Sequence, residues 1–92
     1  MKESMAEFIK QFKTELKGKT ETSKDELADL IGNYLFPFFK IAAISAQNAD
    51  ITYEQYLITE GAVLSNILKN SSLVSSALDI AAPYIIRAWE EA

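Results

Sequence analysis

The groups in this chain that could take part in chemistry are thirteen carboxylates, nine Lys and Arg side chains and four tyrosines. Histidine and cysteine are both absent. Without histidine, the commonest general base and the commonest transition-metal ligand are gone. Without cysteine there is no thiolate nucleophile, no thiolate metal site and no disulfide. That leaves carboxylate chemistry, for which the spacing is poor. Asp25, Glu26 and Asp29 gather where a helix should start, which helix-dipole electrostatics favours without any catalytic role. Lys40 and Ser45 lie too far apart on a helix for a local Ser–Lys pair. Gly18, Gly32 and Gly61 each stand alone, so no glycine loop cradles a phosphate. The expectation is a protein that is not an enzyme and uses no cofactor.

Residues 50–55, DITYEQ, have the flavour of the second half of a calcium loop. The ligands fail. With Ile51 at the hydrophobic eighth position, Ile44 would be the first ligand and Ala46 the third. The sharp-turn glycine would be Ala49 and the bidentate glutamate Gln55. Calcium takes about six to eight oxygens, several of them from carboxylates. The stretch before Glu26 does no better, with Lys17 and Lys19 at ligand positions. No metal site is expected, and a capped inter-helix turn explains the same residues.

One carboxylate is out of place. On a helical wheel Glu60 lies between Tyr53, Leu57 and Leu64, in the centre of an apolar face. Either Gly61 bends the helix and Glu60 reaches water, or Glu60 is at least partly buried. A buried carboxylate needs a partner, here Lys40, Arg87 or a tyrosine hydroxyl, inside the domain or across a dimer interface. Otherwise it costs several kcal/mol or stays protonated.

The elements that position these groups are helices. Leu27–Ala46, LADLIGNYLFPFFKIAAISA, is hydrophobic almost all the way round, with one polar seam of Asp29, Asn33, Lys40 and Gln47. Such a helix belongs in the middle of a bundle. Ser23 and Glu26 form a capping box at its start. Pro37 predicts a kink or short break near Leu35–Pro37. Before it, a first helix over about Lys2–Lys17 carries the stripe Met5, Phe8, Ile9, Phe12 and Leu16. A third opens on the capping box Thr52 to Gln55 and runs to about Lys69. A fourth, about Ser72–Glu91, has a broad stripe that includes Ala77, Ala81, Ile85 and Ala88, and Pro83 should kink or split it. The fold class is therefore all-α: one domain over residues 1–92, a small bundle of four helices with a central, largely buried second helix.

Charge narrows the function. Residues 1–24 balance to +2 and residues 25–92 to −6, for a net −4 with a single arginine. That is the wrong sign for a nucleic-acid partner, which wants clustered Lys and Arg. The start, MKESMAEFIKQF, does not read as a secretory signal. The longest uncharged run, Leu30–Phe39, is shorter than the ~20 residues a transmembrane helix needs. A soluble, cytoplasmic protein is expected. The apolar surface exceeds what one small bundle covers: Phe36 on helix two, with Ile80, Ile86 and Trp89 on helix four, are the candidate interface. The function expected is a non-catalytic interaction or assembly protein, self-associating as a homodimer. Two alternatives compete with it. One is an intracellular inhibitor or immunity-type protein docking a helix face on a protein target. The other is membrane-surface association through the amphipathic first helix.

Overall fold

The computed structural model describes residues 2–17, 24–68 and 74–92, all but Ala92 in helices or the turn between two of them. Helix α1 is Lys2–Lys17. Helix α2 runs Lys24–Asn48, helix α3 is Tyr53–Leu68 and helix α4 is Val74–Glu91. No strand occurs among the described residues. The caps and turns expected at Gly18–Ser23 and Lys69–Leu73 lie outside them, as do the side chains of Met5 and Val74.

Helix α2 is the centre, as its all-round apolar pattern requires. Helix α1 packs along one side of it and α4 along another, while α3 rests mainly on α4. Leu27, Ile31, Leu35, Phe39 and Ala43 of α2 are each no more than 1% exposed. Burying a side chain of Leu, Ile or Phe is worth roughly 1.5–3 kcal/mol. From α1, Phe12 enters this core completely, with Phe8, Ile9 and Leu16 packed beside it. From α4, Ala77, Ala81 and Ala88 are fully buried. Their small side chains set how closely α4 and α2 approach. The polar seam of α2 behaves as a surface, with Asp29, Asn33 and Gln47 exposed.

Pro37 does not break α2. Its ring would clash with the carbonyl four residues back and it has no N–H to donate. The chain widens instead: Ile31–Leu35 form a π turn, closed by the Phe36 N–H on the Ile31 carbonyl, and regular helix resumes through Pro37. Tyr84 of α4 lies on this turn, where a Cβ on Gly32 would come 3.1 Å from its hydroxyl oxygen. Pro83 also sits inside an unbroken helix rather than dividing α4 in two.

The uninterrupted α2 bears on one expectation. Lys40 ends the uncharged run, but the helix continues past it to Asn48, 25 residues in all from Lys24, with a mean hydropathy of 1.4 over its most apolar stretch. By length and composition it could cross a membrane. In this fold it is the helix that α1 and α4 cover.

The turn into α3 is doubly specified. Asp50 takes a left-handed φ of 59°. Ile51 N–H then donates to the Ala46 carbonyl at 2.9 Å and Asp50 N–H to that of Gln47 at 3.2 Å. This pair of bonds satisfies the carbonyls at the end of α2. The capping box follows as expected, Gln55 N–H donating to Thr52 Oγ1 at 3.2 Å and Thr52 N–H to Gln55 Oε1 at 3.3 Å. Those residues are a helix stop and a helix start, and their capping bonds account for the calcium-like flavour of the stretch.

Candidate functional site

The capping box fixes the phase of α3, and the phase decides what faces inward. Tyr56, Glu60, Leu64 and Leu68 follow at four-residue spacing and all four are buried. The helix runs through Gly61 without interruption, so Glu60 does not bend away to water. It is 5% exposed, and its Oε1 is sealed with no hydrogen-bond partner.

The partners expected for Glu60 are engaged elsewhere. Arg87 Nε donates to Glu91 Oε2 at 2.6 Å, and Lys40 Nζ lies 3.4 Å from Glu91 Oε1. The Tyr56 hydroxyl donates to the Ile85 carbonyl at 2.7 Å. Glu60 is therefore unpaired, and burial alone pushes its carboxyl up to about 7. Burial first, then the Glu60 charge, also pushes the Tyr56 hydroxyl up. Glu91 moves the other way, held below the usual carboxylate range chiefly by its bond to Arg87. A glutamate at the end of its helix, exposed to solvent and opposing the helix dipole, thus finds two cations.

Of the four candidate interface residues, three are largely used inside the chain. The Phe36 ring packs against Tyr84 at 5.8 Å, with Lys40 and Arg87 at 5.6 and 5.2 Å from its centroid. Trp89 lies 5.0 Å from the Tyr56 ring and 5.6 Å from that of Tyr53, and Gln47 Nε2 donates to its carbonyl. Ile80 is half-buried against the core. Only Ile86, 37% exposed, stays among the open large hydrophobics.

Sequence reasoning missed the most exposed of them. Ile58 is 74% exposed, well beyond Ile44, Ile51 and Tyr53. Its signal was present: it stands four residues after Glu54 and four before Ala62, on the outward side of α3. Beside it, Leu57 and Gly61 of α3 and Leu78, Ala82, Ile85 and Ile86 of α4 line an apolar groove of about 240 Å³. After Glu54, the exposed residues of α3 are Gln55, Ile58, Thr59, Ala62 and Asn66, none of them charged. A larger depression, about 680 Å³, runs along α1 between Ile9, Leu16 and Ile67, with Lys10 and Lys13 at its edge.

No group of three acidic, His or Cys residues that could hold a metal occurs among the described residues. Glu60 has the proton affinity of a general acid or base, and of its two oxygens Oε1 is sealed from solvent. What the molecule presents is an exposed isoleucine beside an apolar groove, with an unpaired carboxyl on the opposite side of the same helix. No protein-family model, no curated protein and no solved structure matches this chain.

Proposed function

We propose that this chain is a non-catalytic interaction protein that pairs with a second copy of itself through the face shared by α3 and α4. The observation that carries the reading is Ile58, 74% exposed and next in the chain to Leu57, which lines an apolar groove. In a two-fold dimer the same patch meets itself, so each contact occurs twice. A protruding side chain next to a hollow suits that symmetry, since the Ile58 of each copy can enter the groove of the other. Charge favours a second copy as well. The chain carries −4 overall, yet α3 offers no exposed charge after Glu54, so the α3 half of the face meets its copy without opposing carboxylates, and the exposed carboxylates that flank the groove are Asp79 and Glu90 of α4. A stable interface covers about 800 Å² on each partner. The surface here totals 5851 Å², so roughly a seventh of it would be covered.

Light scattering behind size exclusion tests this directly. The expected mass is twice the 10.3 kDa of one chain. Ile58→Glu should return it to one chain with helicity unchanged. A wild-type protein that stays at the single-chain mass at high micromolar concentration would overturn the proposal.

A further inference from the structure

We infer, resting on that self-association reading, that the protonation of Glu60 regulates it, the neutral carboxyl holding the α3–α4 seam closed and the ionised one loosening it. The geometry is specific. Glu60 is 5% exposed, and its sealed Oε1 accepts nothing. On its own helix the neighbouring ionisable groups are Tyr53, Glu54 and Tyr56, and none is cationic. From the Phe36–Asn48 part of α2 the one charged residue is Lys40, and from α4 the titratable groups are Asp79, Tyr84, Arg87, Glu90 and Glu91. The two cations among them, Lys40 and Arg87, both bind Glu91. An ionised Glu60 thus has no counter-charge and one remedy, which is to reach water.

Oε1 is the sealed oxygen, and hydrating it as well means parting α3 from the helices it packs on. The proposed docking groove is made by the same two helices. Leu57 and Gly61, which flank Glu60 along α3, form one wall, and Leu78, Ala82, Ile85 and Ile86 of α4 form the other. A seam loosened to hydrate Glu60 changes the groove that receives Ile58. The carboxyl, raised by burial to about 7, places the change across neutrality. Self-association should be tight on the acid side and weak on the alkaline side. A protein held together only by exposed carboxylate–lysine pairs would weaken in the opposite direction.

Sedimentation equilibrium on the full chain at about pH 5.5, 7 and 8.5 tests the link. The dimer dissociation constant should rise on the order of tenfold or more from the lowest to the highest pH. Glu60→Gln and Glu60→Leu should each flatten that dependence, and the second variant guards against a poorly packed amide in the first. A wild-type dimer whose constant does not move with pH overturns the inference and leaves self-association standing. A chain that is monomeric at every pH overturns self-association, and the link with it. Carboxyl-carbon NMR of Glu60 reads the seam separately. A titration in the ordinary glutamate range would show that the carboxyl is not held in the closed seam, and would overturn the inference whatever the oligomeric state.

Discussion

Tyr56 is the largest fully buried side chain among the described residues, and its ring and hydroxyl should contribute to stability unequally. Tyr56→Phe removes one hydrogen bond, the 2.7 Å bond to the Ile85 carbonyl. Such a bond is worth about 0.5–1.5 kcal/mol net. Ile85 lies inside α4, where its carbonyl keeps its place in the helix, so no acceptor is orphaned and about 1 kcal/mol is expected. Tyr56→Ala removes the ring as well. Emptying an aromatic site costs about 3–5 kcal/mol, and losing the contact with Trp89 at 5.0 Å adds to it. A domain of this size has roughly 5–14 kcal/mol of stability in total. The alanine variant should therefore be marginal and the phenylalanine variant comfortably folded. Trp89, the single tryptophan, lies against this ring and reports on it directly. With a urea slope of about 1 kcal/mol per molar, Tyr56→Phe should lower the midpoint by about 1 M and Tyr56→Ala by about 3 M or more. Protein concentration must be held fixed, because any dimer adds mass-action stability. Equal losses in the two variants would refute the division between ring and hydroxyl. A loss below about 1 kcal/mol in Tyr56→Ala would refute the burial itself.

Other outcomes follow from the same packing. Because Glu60 has a raised folded value of about 7, its contribution is fully present below the ordinary glutamate range and is lost as pH rises through 7. Urea melts across that window should show a decline on the order of 3 kcal/mol, and Glu60→Leu should remove it; a flat wild-type curve would count against the burial. Gly61→Ala should stabilise by about 0.5–1 kcal/mol, since helix propensity favours alanine and the new Cβ meets only Leu78 at an ordinary 4.0 Å. Gly32→Ala, whose Cβ crowds Tyr84 at 3.1 Å, should gain measurably less in the same melts. Thermal melts with millimolar calcium and with chelator should coincide, and a rise of several degrees with calcium would mean the loop at Asp50 had been misread. The exchange Ile58→Glu with Glu60→Ile should give a chain that is more resistant to urea and monomeric by light scattering; a less stable product would show that Glu60 has a role inside the fold.

Much of the fold was legible because helices write their period into the sequence. The helical course of α1, the capping box at Thr52 and the central position of α2 all follow from local spacing and caps. What was not legible depends on residues distant in sequence. The fates of Phe36 and Trp89 are set by Tyr84, Tyr53 and Tyr56 on other helices. The wheel showed that Glu60 faces inward, but it could not show that Glu91 would take both cations that might have paired with it. The π turn was also out of reach. Pro37 announces that the helix must adapt, yet a break, a kink and a widened turn all relieve the same clash.

The two departures from pattern on α3 belong together. Ile58 is apolar and exposed, while Glu60 is acidic and buried, two residues on and therefore on the opposite side of the helix. Exchanged, they would complete an ordinary amphipathic helix, apolar inside and charged outside. Each as it stands opposes the stability of the isolated chain: Ile58 gives up burial worth up to about 1.5–3 kcal/mol, and Glu60 forces an unpaired carboxyl into the core. The two departures fall within one turn of α3. Local violations of this kind gather where a protein gives up stability for function. The proposed self-association would account for Ile58, because a second copy would restore the burial it lacks. The proposed proton-dependent seam would account for Glu60, because only a group unsatisfied in the closed state can favour opening it. On that proposal the same turn of α3 holds both the contact and the control over it, and the variants of Ile58 and Glu60, rather than changes in the more hydrophobic α2, are the ones that test it.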